Sequence, residues 1–203
     1  MRLEQGVRHL TELLQRLDMA PLLEMVPTPG YTPMVGALVA MLEATRASTI
    51  DAVAGLGPTA LDHQHDPTAN PIGALLAHTA AIEWCYAAAT LGGEPPGAEA
   101  WAEWRPFVRL SPAAWAAARG RSLDAHLERL RAVRARTLDG LRALDDARLT
   151  KSVTVPWLRR PATHLWVWYH VMEDELNHRG QIRWLRSRLE PIVRNTFKSA
   201  ARS

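Results

Sequence analysis

Cysteine, β-branched runs and long apolar stretches are all scarce in this chain, and each scarcity excludes a class of protein. The chain has 203 residues and a single cysteine, Cys85, which excludes an internal disulfide framework and a cysteine-rich zinc site. Charge or proline interrupts the apolar stretches well before the roughly 18 residues that a membrane-spanning helix needs. The first residues lack the apolar core of a secretory signal. We therefore expect a cytoplasmic protein with no membrane partner.

Charge is divided unevenly along the chain. Residues 1–100 hold four basic and eleven acidic residues, whereas the remainder holds twenty basic and ten acidic residues. A basic C-terminal half is compatible with nucleic-acid binding. The basic residues are interleaved with acids and leucines, however, which is typical of oppositely charged helices that face each other in one bundle. We therefore do not expect a nucleic-acid partner.

Alanine, leucine, arginine and glutamate recur at helical spacing and predict an all-α protein. The pattern predicts an N-terminal accessory helix and linker at 1–30, a bundle of four long helices at 31–190 and a basic tail at 191–203. Prolines and tryptophans between 94 and 120 predict a long connection between the second and third bundle helices. The predicted helix starts are Thr32-Pro33, Asn70-Pro71, Ser122 and Pro161, and the last helix is predicted to end near Leu189.

Polar side chains interrupt the apolar stripes of two predicted helices. Asp174 and His178 lie one turn apart inside the stripe of the last helix, and His78 fits an apolar series on an earlier helix. Burying a carboxylate with an imidazole is costly unless they are paired or bind a metal. Two imidazoles and one carboxylate with an open position are typical of a reactive divalent metal site. Spacing alone leaves two alternatives open, which are a buried Asp174–His178 ion pair and an ordinary core histidine at 78.

Other polar residues near these stripes have two interpretations each. Arg46 interrupts an apolar face and is a candidate to bind a substrate carboxylate or phosphate, although an ion pair with Glu or Asp at the end of the bundle is favoured. Cys85 is interpreted as a small core residue rather than a nucleophile. His63 and His65 are interpreted as solvated loop residues rather than metal ligands.

Three segments resemble the DinB/YfiT-like superfamily. Residues 75–83 (LLAHTAAIE) resemble its second-helix motif, residues 170–182 (HVMEDELNHRGQI) resemble its closing-helix motif, and residues 41–46 (MLEATR) are similar to its first-helix pattern. The resemblance implies a DinB-like four-helix bundle with one divalent metal ion held by His78, Asp174 and His178. Asp174 departs from the histidine that many relatives carry. Glu175 and His170 are therefore alternative ligands, and Gln181 is a candidate to support a ligand.

Function is inferred from the same resemblance. Characterised relatives mostly use a low-molecular-weight thiol, which implies a metal-dependent S-transferase or isomerase that acts on a small-molecule substrate. The alternatives are a metal-binding stress or accessory protein without turnover and a metal-dependent hydrolase. The ligand types suit zinc, nickel, iron and manganese, and zinc or nickel is predicted. Relatives are often dimeric, and an apolar stripe through Tyr169, Met172 and Leu176 also favours a homodimer.

Overall fold

The computed structural model describes residues 25–92 and 97–200, with side-chain surroundings described as far as Leu189, and confirms the all-α fold. The predicted accessory helix falls on residues 1–24, outside the described residues, and the division into domains stays a prediction. The elements in chain order are α1 (Pro33–Val53), α2 (Pro58–Asp62), α3 (Ile72–Thr90), α4 (Ala98–Trp104), a 3-10 turn (Arg105–Phe107), α5 (Pro112–Ala118), α6 (Leu123–Arg142), α7 (Asp146–Leu149), β1 (Ser152–Val153), β2 (Ala162–Thr163) and α8 (His164–Ala200).

Four long helices, α1, α3, α6 and α8, form a closed bundle. Helix α3 packs against α6 and α8, and α1 packs against the same two helices. Helix α3 is the most apolar of the four long helices, and most of its residues are buried. Contrary to the expectation from the sequence, it is long and apolar enough to cross a membrane despite Glu83, but 78% of its apolar window is buried inside the bundle. Its composition is therefore explained by its place in the core.

Two of the four predicted helix starts are confirmed, and two are wrong. Helix α1 begins at Pro33 after Thr32 as predicted, but the Asp146 carboxylate and not the Thr32 side chain accepts hydrogen bonds from its first amides. The Ser122 hydroxyl accepts a hydrogen bond from the Ala125 amide at the start of α6. Asn70 does not cap α3, because its side-chain oxygen accepts a hydrogen bond from the Trp115 indole at 2.7 Å.

The last helix differs from the prediction at both ends. It begins at His164 instead of Pro161, because Ala162 and Thr163 pair with β1 as a short antiparallel ribbon. The Thr163 hydroxyl then accepts a hydrogen bond from the Trp166 amide and so caps the helix. The helix continues to Ala200 instead of ending near Leu189. The long connection is confirmed, and it contains α4, the 3-10 turn and α5.

A buried ion network occupies the centre of the bundle and takes one residue from each long helix. Arg46 on α1 donates to Glu83 on α3 at 2.7 Å and to Glu175 on α8 at 2.8 Å. Arg134 on α6 donates to Glu83 at 2.7 Å and lies 3.4 Å from Glu175. Burial alone would raise the pKa of Glu83, but the two guanidinium groups outweigh it and lower that pKa to about 2.

Removing one cation from this network is expected to destabilise the fold. The substitution Arg134→Met replaces the aliphatic part of the side chain and removes the guanidinium group, which leaves two buried glutamates with one arginine, so we expect a loss of about 3–5 kcal/mol in the free energy of unfolding. Urea denaturation measures this loss. Arg136→Met, at an exposed position of the same helix, is the matched control. Equal stability of the two variants would contradict the central role of the network.

His126 on α6 is buried without a hydrogen-bond partner for either ring nitrogen. Burial, together with the positive charges of Arg121 and Arg129, lowers its pKa to about 4, and the charge of Asp62 opposes this shift. The imidazole is therefore neutral in the folded protein at neutral pH.

Acid is expected to destabilise the fold through this histidine. Because the pKa is lower in the folded than in the unfolded state, the unfolded chain binds more protons as the pH falls from about 6.5 to 4. The stability lost over that range is up to about 3 kcal/mol. Urea denaturation at several pH values should show a shallower pH dependence in His126→Gln than in the wild type. His65→Gln, in an exposed loop, should retain the wild-type slope.

Candidate metal centre

Three predicted ligands meet where α3 and α8 pack together. Helix α3 carries His78, and α8 carries Asp174 and His178 one turn apart. The Oδ1 atom of Asp174 lies 3.4 Å from Nε2 of His178 and 3.7 Å from Nε2 of His78. One potential ligand atom from each residue lies within 4.8 Å of the other two. Within residues 25–92 and 97–189, these three form the one group of His, Cys, Asp or Glu side chains with this property.

Hydrogen bonds at the outer nitrogen of each imidazole orient the inner nitrogen. The Nδ1 atom of His78 lies 2.7 Å from the carbonyl oxygen of Phe107, and Nδ1 of His178 lies 3.3 Å from Oε1 of Gln181. Because a carbonyl oxygen only accepts, Nδ1 of His78 must carry the proton, and Nε2 of the neutral ring keeps its lone pair. Histidines that bind metals are generally held this way. The predicted supporting position of Gln181 agrees with this contact, whereas no sequence pattern indicated the contact with Phe107.

The donor set fits a divalent metal ion. A tetrahedral site with bonds of about 2.1 Å separates neighbouring ligand atoms by about 3.4 Å, close to both measured distances. The second carboxylate oxygen of Asp174, Oδ2, is buried and has no hydrogen-bond partner. Burial by itself would raise the pKa of Asp174, but the hydrogen bonds and charges of His178 and His78 lower it overall. The carboxylate is therefore ionised and suited to bind a cation.

Two other predicted candidates have different roles in the structure. Glu175, a predicted alternative ligand, is more deeply buried than Asp174, and both of its carboxylate oxygens accept hydrogen bonds from Arg46. This position rules it out as a substitute ligand. Arg46 forms the ion pair that the sequence favoured, but at the centre of the bundle instead of its end, since its three nitrogens bond to Glu83, Glu175 and the Leu130 carbonyl. No free guanidinium edge remains for a substrate.

His170 lies outside the group of three ligands. Its ring stacks on Trp166 with a centroid distance of 5.0 Å, and its Nδ1 atom is 3.4 Å from the Glu173 carboxylate. It lines a neighbouring cavity instead of joining the two histidines. His63 and His65 also lie outside the group.

A cavity of about 780 Å³ adjoins the group of three at Asp174, which forms part of its lining. Its lining combines aromatic and aliphatic side chains with two arginines. The lining residues are Ile82, Cys85, Tyr86, Trp101, Arg105, Pro106, Val108, Arg109, Ser111, Ala113, Trp157, His170 and Asp174. A mostly apolar cavity with a few polar groups is typical of a site for a small organic molecule.

The comparisons with known proteins agree with this architecture. The helical bundle is that of a DinB/YfiT-like protein. A family model described as Mycothiol-S-transferase matches residues 37–191, and the chain belongs to this family. A solved structure, described as a conserved protein from Enterococcus faecalis, has a TM-score of 0.60 at 16% identity and covers 73% of this chain and 92% of its own. That similarity shows the fold alone. No curated protein matches the chain.

Cys85 is expected to be unreactive in the folded protein. Burial raises the pKa of its thiol to about 12, and the side chain is almost inaccessible, in agreement with the interpretation as a core residue. Alkylation by iodoacetamide at pH 8, followed by mass spectrometry, should be about a thousandfold slower in the native protein than in guanidinium. Rapid alkylation of the native protein would make Cys85 a candidate nucleophile.

Proposed function

We propose that this protein is a metal-dependent transferase that joins a low-molecular-weight thiol, mycothiol, to an electrophilic small molecule. The observation that carries the proposal is the convergence of two imidazole Nε2 atoms and one carboxylate beside a mostly apolar cavity. Membership of the mycothiol S-transferase family supports the choice of thiol. A homodimer working in the cytoplasm stays a prediction from the sequence.

His78, Asp174 and His178 would hold the metal ion, and zinc or nickel is the proposed ion. A bound divalent cation lowers the pKa of a thiol and so favours the nucleophilic thiolate at neutral pH. Two neutral imidazoles and one carboxylate balance only one of the two positive charges of such a cation. The remaining charge favours an anion, such as a thiolate, at an open position.

The chain's own residues would orient the reactants and limit side reactions. The Phe107 carbonyl and the Gln181 amide hold both imidazoles with Nε2 facing Asp174. The aromatic side chains of the cavity offer flat apolar surfaces to the electrophile and reduce its contact with water. Because Cys85 is buried and protonated, the attacking sulfur must come from the thiol cosubstrate.

Metal content and thiol-dependent turnover test this proposal together. We expect about one divalent ion per chain after purification from metal-supplemented minimal medium, and loss of that ion in His78→Ala and His178→Ala, because each removes one of three ligands. Turnover of 1-chloro-2,4-dinitrobenzene with mycothiol should fall at least about a hundredfold in both variants. Elemental analysis and absorbance of the thioether product are the two measurements.

A histidine outside the ligand group provides the control. His63→Gln should retain both metal and turnover, since His63 lies in a loop outside the group of three. A wild-type protein that binds metal but turns over no electrophile with any thiol would support the accessory-protein alternative. A metal-free wild type with unchanged melting after addition of zinc, nickel or manganese would overturn the metal site itself.

A further inference from the structure

Two arginines line the cavity without a carboxylate partner among the described residues. Arg105 and Arg109 are exposed, and neither takes part in an ion pair within residues 25–92 and 97–189. By contrast, the buried arginines of the ion network each bond to glutamates. The guanidinium groups of Arg105 and Arg109 are therefore available to an anion that enters the cavity.

Aromatic side chains form another part of the same lining. Trp157 is 46% exposed, and its ring meets Tyr86 edge to face with a centroid distance of 5.2 Å. Trp101 is 37% exposed and stacks on Trp84 with a centroid distance of 6.0 Å. Indole rings that are exposed at a cavity and held by a second aromatic ring offer a rigid surface to a flat ligand.

One short segment connects these arginines to the ligand group. Arg105 opens the 3-10 turn that ends at Phe107, and Phe107 accepts the hydrogen bond from His78. Arg109 follows two residues later. The segment 105–109 therefore fixes one proposed ligand and lines the adjoining cavity with two cations. Asp174 lines the same cavity, so an anion bound by the arginines and the proposed metal site share one space.

We propose that Arg105 and Arg109 bind the carboxylate of the electrophilic substrate, and that Trp101, Trp157 and Tyr86 contact its aromatic body. The inference rests on the proposed function and names its substrate class, which is aromatic electrophiles that carry a carboxylate. A guanidinium group binds a carboxylate through two parallel hydrogen bonds, which also fixes the orientation of the ligand. The arginines are thus specificity-determining residues and not catalytic ones.

The probe 4-chloro-3-nitrobenzoate, called the chloro acid below, represents this class. In its reaction the thiolate sulfur forms a bond to the ring carbon that carries chlorine, the carbon–chlorine bond breaks, and chloride leaves with the bonding electron pair. The thiol proton passes to water, and nothing is oxidised or reduced. The methyl ester of the same compound has the same reacting carbon and no negative charge, so it is the matched neutral probe.

Binding is measured first, without any thiol. The unreactive compounds 3-nitrobenzoate and methyl 3-nitrobenzoate quench tryptophan fluorescence and so report binding beside Trp101 and Trp157. We expect the Kd of the acid to rise about tenfold in Arg105→Gln and in Arg109→Gln, because each loses a charged hydrogen bond, while the Kd of the ester is unchanged. Arg119→Gln, at an exposed position outside the cavity lining, should bind both compounds like the wild type.

Kinetics then separate substrate recognition from a general effect. In a double variant that combines Arg105→Gln with Arg109→Gln, the Michaelis constant for the chloro acid should rise at least about tenfold. The Michaelis constants for mycothiol and for the methyl ester should be unchanged. Equal Kd values of the wild type for acid and ester would overturn the inference. So would arginine variants in which the Michaelis constant for mycothiol rises and that for the chloro acid does not. The wild type could bind the acid more tightly than the ester, lose this preference in the arginine variants, and show no turnover. That result would contradict the proposed function but support the carboxylate site.

Discussion

Two arginines and two glutamates at the centre of the bundle constrain how its four long helices can pack. Arg46, Glu83, Arg134 and Glu175 come from four different helices, and their formal charges cancel. A buried charge that loses its partner is strongly destabilising. A helix that slipped by one residue would move its charged side chain by about 1.5 Å and turn it by about 100°, which would break these contacts. The network therefore fixes the rotation and the axial position of each helix.

The proposed metal centre depends on that constraint. Glu175 directly follows Asp174 on α8, and Glu83 lies five positions after His78 on α3. When the network joins Glu83 and Glu175 through Arg46, the same two helices bring His78 opposite Asp174 and His178. The Phe107 carbonyl adds a contact from the 3-10 turn, outside the four long helices. Helix register and the orientation of the His78 imidazole are thus set by different parts of the chain.

The sequence predicted the fold class and the proximity of His78, Asp174 and His178 because both depend on periodicity along single helices. His78, Asp174 and His178 each fall inside an apolar stripe, and stripes face the core. The deep burial of Glu175 was not predicted, because periodicity marks only a single stripe along the helix. Helix α8 packs against both α1 and α3, so its buried arc is wider than one stripe and includes the adjacent residue.

Other features depend on contacts between distant parts of the chain. Nothing near Asn70 indicates that Trp115 would take its side-chain oxygen, and nothing near Pro161 fixes the pairing of Ala162 with Val153. The sequence indicated that Arg46 is a polar residue on an apolar face. It did not identify the partner Glu175, because that residue lies 129 positions away in the chain. The carbonyl oxygen of Phe107 is a backbone atom, so no choice of side chain marks its role.

The long connection between α3 and α6 gives the bundle its chemical character. The four helices supply the inward-facing ligands and the ion network, which hold the ligand atoms close together. The connection supplies Trp101, Arg105 and Arg109 to the cavity and the Phe107 carbonyl to His78. The 3-10 turn contributes to the cavity lining and to the hydrogen bond with His78. A change in the turn that reshaped the cavity would therefore also disturb the imidazole of His78. Substrate preference can therefore change most readily through the side chains of Arg105 and Arg109, which leave the backbone of the turn in place.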